Sequence, residues 1–132
     1  EIKKILETAE DMDQDQANQI EAQLSNSWIQ WFIRHDPVPT LEKVQIPVLA
    51  LNGTLDLQVP CQENLDAIEA ALQRGGNRDY EAIAFPNLNH LFQHCETGAP
   101  SEYGKIEETF SPGVLDKITH WILQRFGHQK KD

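Results

Sequence analysis

Apolar residues in the first part of the chain recur largely at steps of three and four. Ile2, Ile5, Leu6, Ala9, Met12, Ala17, Ile20 and Leu24 are separated by Glu, Asp, Gln and Lys. This spacing predicts an amphipathic helix over 2–24, or two helices joined near Asp13. Asn26 and Ser27 then offer a cap for a helix carrying Trp28, Trp31 and Phe32. That helix must stop before Asp36-Pro37-Val38-Pro39, since each proline disfavours helix in the residue ahead of it. Three aromatics so close together demand burial.

From residue 40 the pattern changes. One helical turn over 40–44 leads into Ile46-Pro47-Val48-Leu49-Ala50-Leu51, which is apolar without alternation and ends at Asn52-Gly53. A strand covered on both faces of a parallel sheet has this pattern. Pro60 and Glu63 open a helix through Leu65, Ile68, Ala71 and Leu72, which Arg74-Gly75-Gly76 closes with a basic last turn and a glycine cap. Residues 80–85 read as the next strand. A loop of about twenty residues follows over 87–109, a length more often functional than idle in a compact domain. Ser111-Pro112 starts a last helix whose stripe is Val114, Leu115, Ile118, Trp121, Ile122 and Phe126, ending at Gly127. The order from residue 46 is strand, helix, strand, helix, one parallel crossover unit followed by a helix. Two parallel strands make too narrow a sheet, so this pattern implies central strands supplied from elsewhere.

Composition narrows the partners. With 11 Lys+Arg against 21 Asp+Glu the formal charge is −10, which provides no basic surface for nucleic acid or an anionic membrane. Residues 46–51 are the longest apolar run, far short of the roughly twenty needed to cross a bilayer. The first residue is Glu and no leader pattern follows it, so the compartment is not legible there. Cys61 and Cys95 have no metal-type C-x-x-C spacing and allow one bridge or two free thiols.

In doubly wound folds the chemistry sits in loops at the carboxyl ends of strands. Two such loops are present: Asn52-Gly53-Thr54-Leu55-Asp56-Leu57-Gln58-Val59-Pro60, and Pro86-Asn87-Leu88-Asn89-His90-Leu91-Phe92. Each contributes one catalytic-type side chain, a carboxylate and then an imidazole. Gly53-x-x-Asp56-x-x-Val59-Pro60 and Asn89-His90 with its apolar followers resemble the acid loop and histidine loop of the α/β-hydrolase fold, where a triad runs Ser, Asp, His along the chain. Ser27-Trp28 through Phe32 to Asp36-Pro37, the strand Val48 to Gly53, Glu63-Asn64-Leu65, Thr97-Gly98, Glu102-Tyr103 and Glu107-Glu108-Thr109 are similar to a bacterial branch of esterases and peptidase-like serine hydrolases. The resemblance covers about residues 26 to 126.

It implies an α/β chain, the C-terminal portion of an α/β-hydrolase fold: a helical cap segment over 1–38, then a strand-helix-strand-helix portion over 39–132. It also implies cleavage of carboxylic ester or amide bonds, with Asp56 and His90 as two triad members. Trp28, Trp31, Phe32 and Tyr103 become candidates for the substrate pocket. No cofactor is implied. The chain departs from the pattern in one respect: Ser25, Ser27, Ser101 and Ser111 are its serines, and none lies in G-x-S-x-G. The nucleophile and oxyanion hole are therefore expected in sequence beyond this chain. On this reading the chain alone is inactive, and its uncovered sheet edge or exchanged helices would bring copies of it together.

Rival constellations remain open in the sequence. His90, His94 and Cys95 have a spacing compatible with zinc, but residue 91 is Leu where a metalloprotease helix carries Glu. Cys61 could serve as a thiol nucleophile or simply as a small residue at a helix start. A Cys61–Cys95 disulfide is conceivable, since both follow loops at one sheet edge. A non-catalytic α/β binding or scaffold module is the alternative function.

Overall fold

A computed structural model describes residues 24–127, together with positions 15, 18 and 22. The helix expected over 2–24 falls almost wholly outside the described residues. The chain divides into two compact units, 1–37 and 38–132.

In the first unit, helix α1 spans Ser27–Arg34. Asn26 caps it by accepting the Trp28 N–H on Oδ1 at 2.8 Å, and the chain turns extended at His35 before Pro37. The expected burial of its aromatics is not found: Trp28, Trp31 and Phe32 are 61%, 58% and 60% exposed. Their rings instead pair one turn apart along the same helix. Trp28 stacks on Phe32 with centroids 5.4 Å apart, and Trp31 on His35 at 4.8 Å. An eight-residue helix can match its own i, i+4 rings.

The second unit opens with α2, the single turn Val38–Leu41. Pro39 is tolerated there because the first N–H groups of a helix lack partners anyway. Turn bonds from Lys43 N to Thr40 O and from Val44 N to Leu41 O carry the expected turn on to residue 44. Strand β1 spans Val48–Gly53, two residues later than the apolar run suggests. Pro47 has no N–H for a ladder and Ile46 is 71% exposed, so pairing starts where the Val48 N–H reaches Asp79 O at 3.0 Å. At the other end the polar pair Asn52 and Gly53 is buried and stays in the ladder. Hydrophobicity marked the run, whereas pairing marks the strand.

Helix α3, Cys61–Arg74, crosses over to strand β2, Tyr80–Phe85. The strands pair in parallel from Val48↔Tyr80 to Gly53↔Phe85, so both end at the same level. At their starts the buried Asn77 donates to Val44 O and Ile46 O and accepts the Asp79 N–H, binding the two strand entrances to one side chain. Leu65, Ala71 and Leu72 of α3 form the core with Leu88 and Val114. The long loop carries an isolated bridge, Leu88↔His94, and a 3₁₀ helix, Pro100–Lys105.

Helix α4 spans Pro112–Phe126. Its expected stripe is only partly covered: Val114 is buried, while Leu115, Ile122 and Phe126 are 45% to 59% exposed. Among the described residues the sheet has two strands. At under 5 Å between strands, such a sheet is narrower than the faces of the helices that pack on it. No described helix is long and apolar enough to cross a membrane.

Gly53 sits where the two loops diverge, and a Cβ there would overlap the backbone carbonyls of Leu88 and Asn89. Backbone on backbone cannot yield as a flexible side chain does. Gly53→Ala should therefore cost about 1–3 kcal/mol, seen as a fall in Tm of at least about 4 °C. Gly104→Ala, which meets open space, should stay within about 0.5 kcal/mol of the parent. Equal melting of the two variants would contradict the crowding at Gly53.

Candidate active site

The acid loop leaves β1 and is closed by its own polar groups. Thr54 N–H donates to Phe85 O at 2.9 Å, Leu55 N–H to Leu88 O at 3.0 Å, and Asp56 N–H back to Gly53 O at 3.2 Å. Asp56 Oδ1 accepts the N–H groups of Gln58 and Val59, both at 2.9 Å, as short carboxylates do in turns. Asn52 Nδ2 donates to Val59 O at 3.2 Å and fastens the loop's far end to the strand. One carboxylate oxygen is thus committed to the backbone, and Oδ2 remains.

The histidine loop is built with equal economy. Asn87, at φ 59°, turns the chain through the left-handed region and donates its N–H to Thr54 Oγ1 at 2.9 Å. Phe92 N–H reaches Asn89 O at 3.0 Å, closing a four-residue turn in which His90 is second; Phe92 itself has φ 55°. Asn89 is fully buried under this turn and Gln93 nearly so.

These loops bring the two residues together, with His90 Nδ1 2.9 Å from Asp56 Oδ2. The Asp56 side chain is 4% exposed and the His90 side chain 38%. Burial works to raise the Asp56 pKa. The hydrogen bond from His90, the N–H groups of Val59 and Gln58 and the charge of His90 outweigh it, holding the carboxyl below its ordinary value. An ionised Asp56 accepts the Nδ1 proton, so a neutral His90 keeps its basic lone pair on Nε2. A cleft of about 200 Å³ adjoins the pair, walled by Leu51, Val59, Leu65, Ile68 and Phe92 along with Asn52 and Asn64. The arrangement is a partly open imidazole, fixed in tautomer by a buried anion, beside an apolar hollow. It can take a proton from a weak nucleophile and return it to a leaving group.

The other candidates lie elsewhere. Tyr103, on the 3₁₀ helix, accepts a hydrogen bond from Gln58 Nε2 at 3.0 Å and so touches the acid loop; it does not line the cleft. Trp28, Trp31 and Phe32 belong to α1 in the other unit. His94 is engaged by Glu108, with Nδ1 at 2.8 Å and its backbone N–H at 2.7 Å from Oε2, so His90 and His94 serve different carboxylates. Cys61 and Cys95 are free thiols. Burial, and then the Asp56 charge, raises the Cys61 pKa, which opposes the thiolate a nucleophile would need. Among the described residues no serine hydroxyl is hydrogen-bonded to His90.

Residues 5–128 match peptidase S9, the prolyl oligopeptidase family. The acylamino-acid-releasing enzyme of Arabidopsis thaliana is 32% identical over 66 residues, a match taking in 50% of this chain and 8% of that protein. The chain therefore spans a small part of the length of that relative. No solved structure matches it.

Because its native pKa is lowered, Asp56 should contribute stability that is complete above the ordinary carboxyl range and is lost as pH falls from there through the native value. Asp56→Asn should then be less stable than the parent at neutral pH, with the gap closing in acid. A gap of constant size across an acid titration of unfolding would contradict this.

Proposed function

Given that the chain belongs to the prolyl oligopeptidase family, an α/β-hydrolase-fold family of serine peptidases, we propose that Asp56 and His90 are the acid and base of a Ser-His-Asp triad. The nucleophilic serine would lie in sequence outside these 132 residues. The observation carrying this reading is the 2.9 Å bond between a buried carboxylate and a half-open imidazole on neighbouring loops.

In the proposed reaction His90 Nε2 takes the serine proton as the hydroxyl oxygen bonds to the carbonyl carbon of an ester or amide. It then gives that proton to the departing alcohol or amine, leaving an acyl-enzyme. Water repeats the sequence and frees the acid. Asp56 keeps Nδ1 protonated and offsets the positive charge that appears on the ring. The name of the Arabidopsis thaliana relative, which refers to release of acylamino acids, is in keeping with an amide substrate. The self-association expected from the sequence is proposed for the isolated chain, supported by β1 having one paired edge among the described residues.

The gene product that contains this chain should hydrolyse activated esters or peptide anilides. His90→Ala should lower kcat by about a thousandfold or more with the fold retained by circular dichroism. The 132-residue chain alone should show no turnover that His90→Ala removes. Near-normal hydrolysis by the His90→Ala gene product would overturn the triad, and a parent gene product without hydrolase activity would favour a non-catalytic module.

A further inference from the structure

Beneath the histidine turn lie two amides that proton transfer does not use. Asn89 is 0% exposed and Gln93 8%. Asn89 Oδ1 accepts two backbone N–H groups, from Leu91 at 2.9 Å and Gln93 at 3.0 Å, which flank the turn beyond His90. Its Nδ2 donates to Gln93 Oε1 at 3.0 Å, and its backbone N–H to Gln93 O at 3.0 Å. Gln93 in turn donates through Nε2 to Glu108 O at 2.9 Å. On the far side, Ser111 N–H holds Phe92 O at 2.8 Å. The amides are thus satisfied only by each other and by backbone, and the backbone they hold is that of the turn bearing His90.

Buried polar groups cost free energy unless each is paired, so an apolar filler would be the simpler solution under a turn that served only to connect β2 to the rest. A hydrogen-bonded pair fixes position and direction as well as volume. Phe92 is held at φ 55°, a conformation that a side-chain-bearing residue adopts rarely and that needs such over-determination. We infer that Asn89 and Gln93 are positioning residues: their amide pair sets where His90 stands relative to Asp56 Oδ2. Glu108 O anchors the pair from the long loop. The inference takes the importance of His90 from the triad reading above, although the geometry it concerns exists in this chain without the nucleophile.

The test uses proton NMR on the 132-residue chain, where the Nδ1–H shared with Asp56 should give a low-field signal that His90→Ala removes. Gln93→Met keeps the volume and deletes both side-chain bonds. Asn89→Ala deletes three. Gln93→Met and Asn89→Ala should retain the dispersed amide spectrum of a folded chain and lose or broaden the low-field signal. If Asn89→Ala fails to fold, Gln93→Met decides. An undiminished signal in folded Gln93→Met overturns the inference, and so does unfolding of both variants, which would make the amides general core residues. In the longer gene product Gln93→Met should lower kcat about tenfold to a hundredfold, as expected for a misplaced base, with KM within about twofold. Unchanged kcat there would overturn the inference and leave the triad standing. A parent gene product without hydrolase activity would overturn the triad and leave the NMR result to decide the positioning role.

Discussion

The site depends on the register of one pair of strands. Because β1 and β2 run parallel from Val48↔Tyr80 to Gly53↔Phe85, they release their loops at one edge and one height. A slip of a single residue would reverse the faces of every side chain in the shifted strand and move its loop along the sheet. The register is held at both ends: the Asn77 side chain bonds both strand entrances, and at the exits the backbone N–H groups of Thr54 and Leu55 donate to Phe85 O and Leu88 O. Gly53 permits this by having no side chain where the histidine loop crosses over it.

The energetics of the pair follow from that placement. Removing a carboxylate from water is costly, and an isolated one would take up a proton instead. Asp56 stays ionised because two backbone N–H groups and an imidazole surround it, and these are donors the folded loops have already oriented. The difference in exposure between the partners suits the pair to the proposed proton transfer. The anion is shielded, so its field acts on the ring at low screening, while the ring reaches outward to where a reactant can meet it.

Much of this was legible in the sequence, for identifiable reasons. Asp56 and His90 stood out because each follows a β-type run within a loop rich in Asn, Gly and Pro, and such loops fall at strand ends. Helix α3 was readable from Pro60, Glu63 and the Arg74-Gly75 ending. Other features depend on tertiary context. Ile46 looked like strand and is exposed, since proline at 47 breaks the ladder regardless of hydrophobicity. The aromatics of α1 and the outer stripe of α4 are apolar without being covered, which periodicity alone cannot distinguish from burial. Gln93 is not legible in the sequence, because a single glutamine in a polar loop carries no signal. An amide three residues after a strand-end histidine, with Asn immediately before it, is the pattern that would have pointed to it.

Labelling with a fluorophosphonate probe tests the central claim most directly, since phosphonylation needs a serine oxygen activated by a neighbouring base and expels fluoride. In the gene product that contains this chain, one serine outside these 132 residues should be modified, and His90→Ala should slow its modification by about a hundredfold or more. Labelling at Ser25, Ser27, Ser101 or Ser111, or labelling at the same rate without His90, would contradict the account.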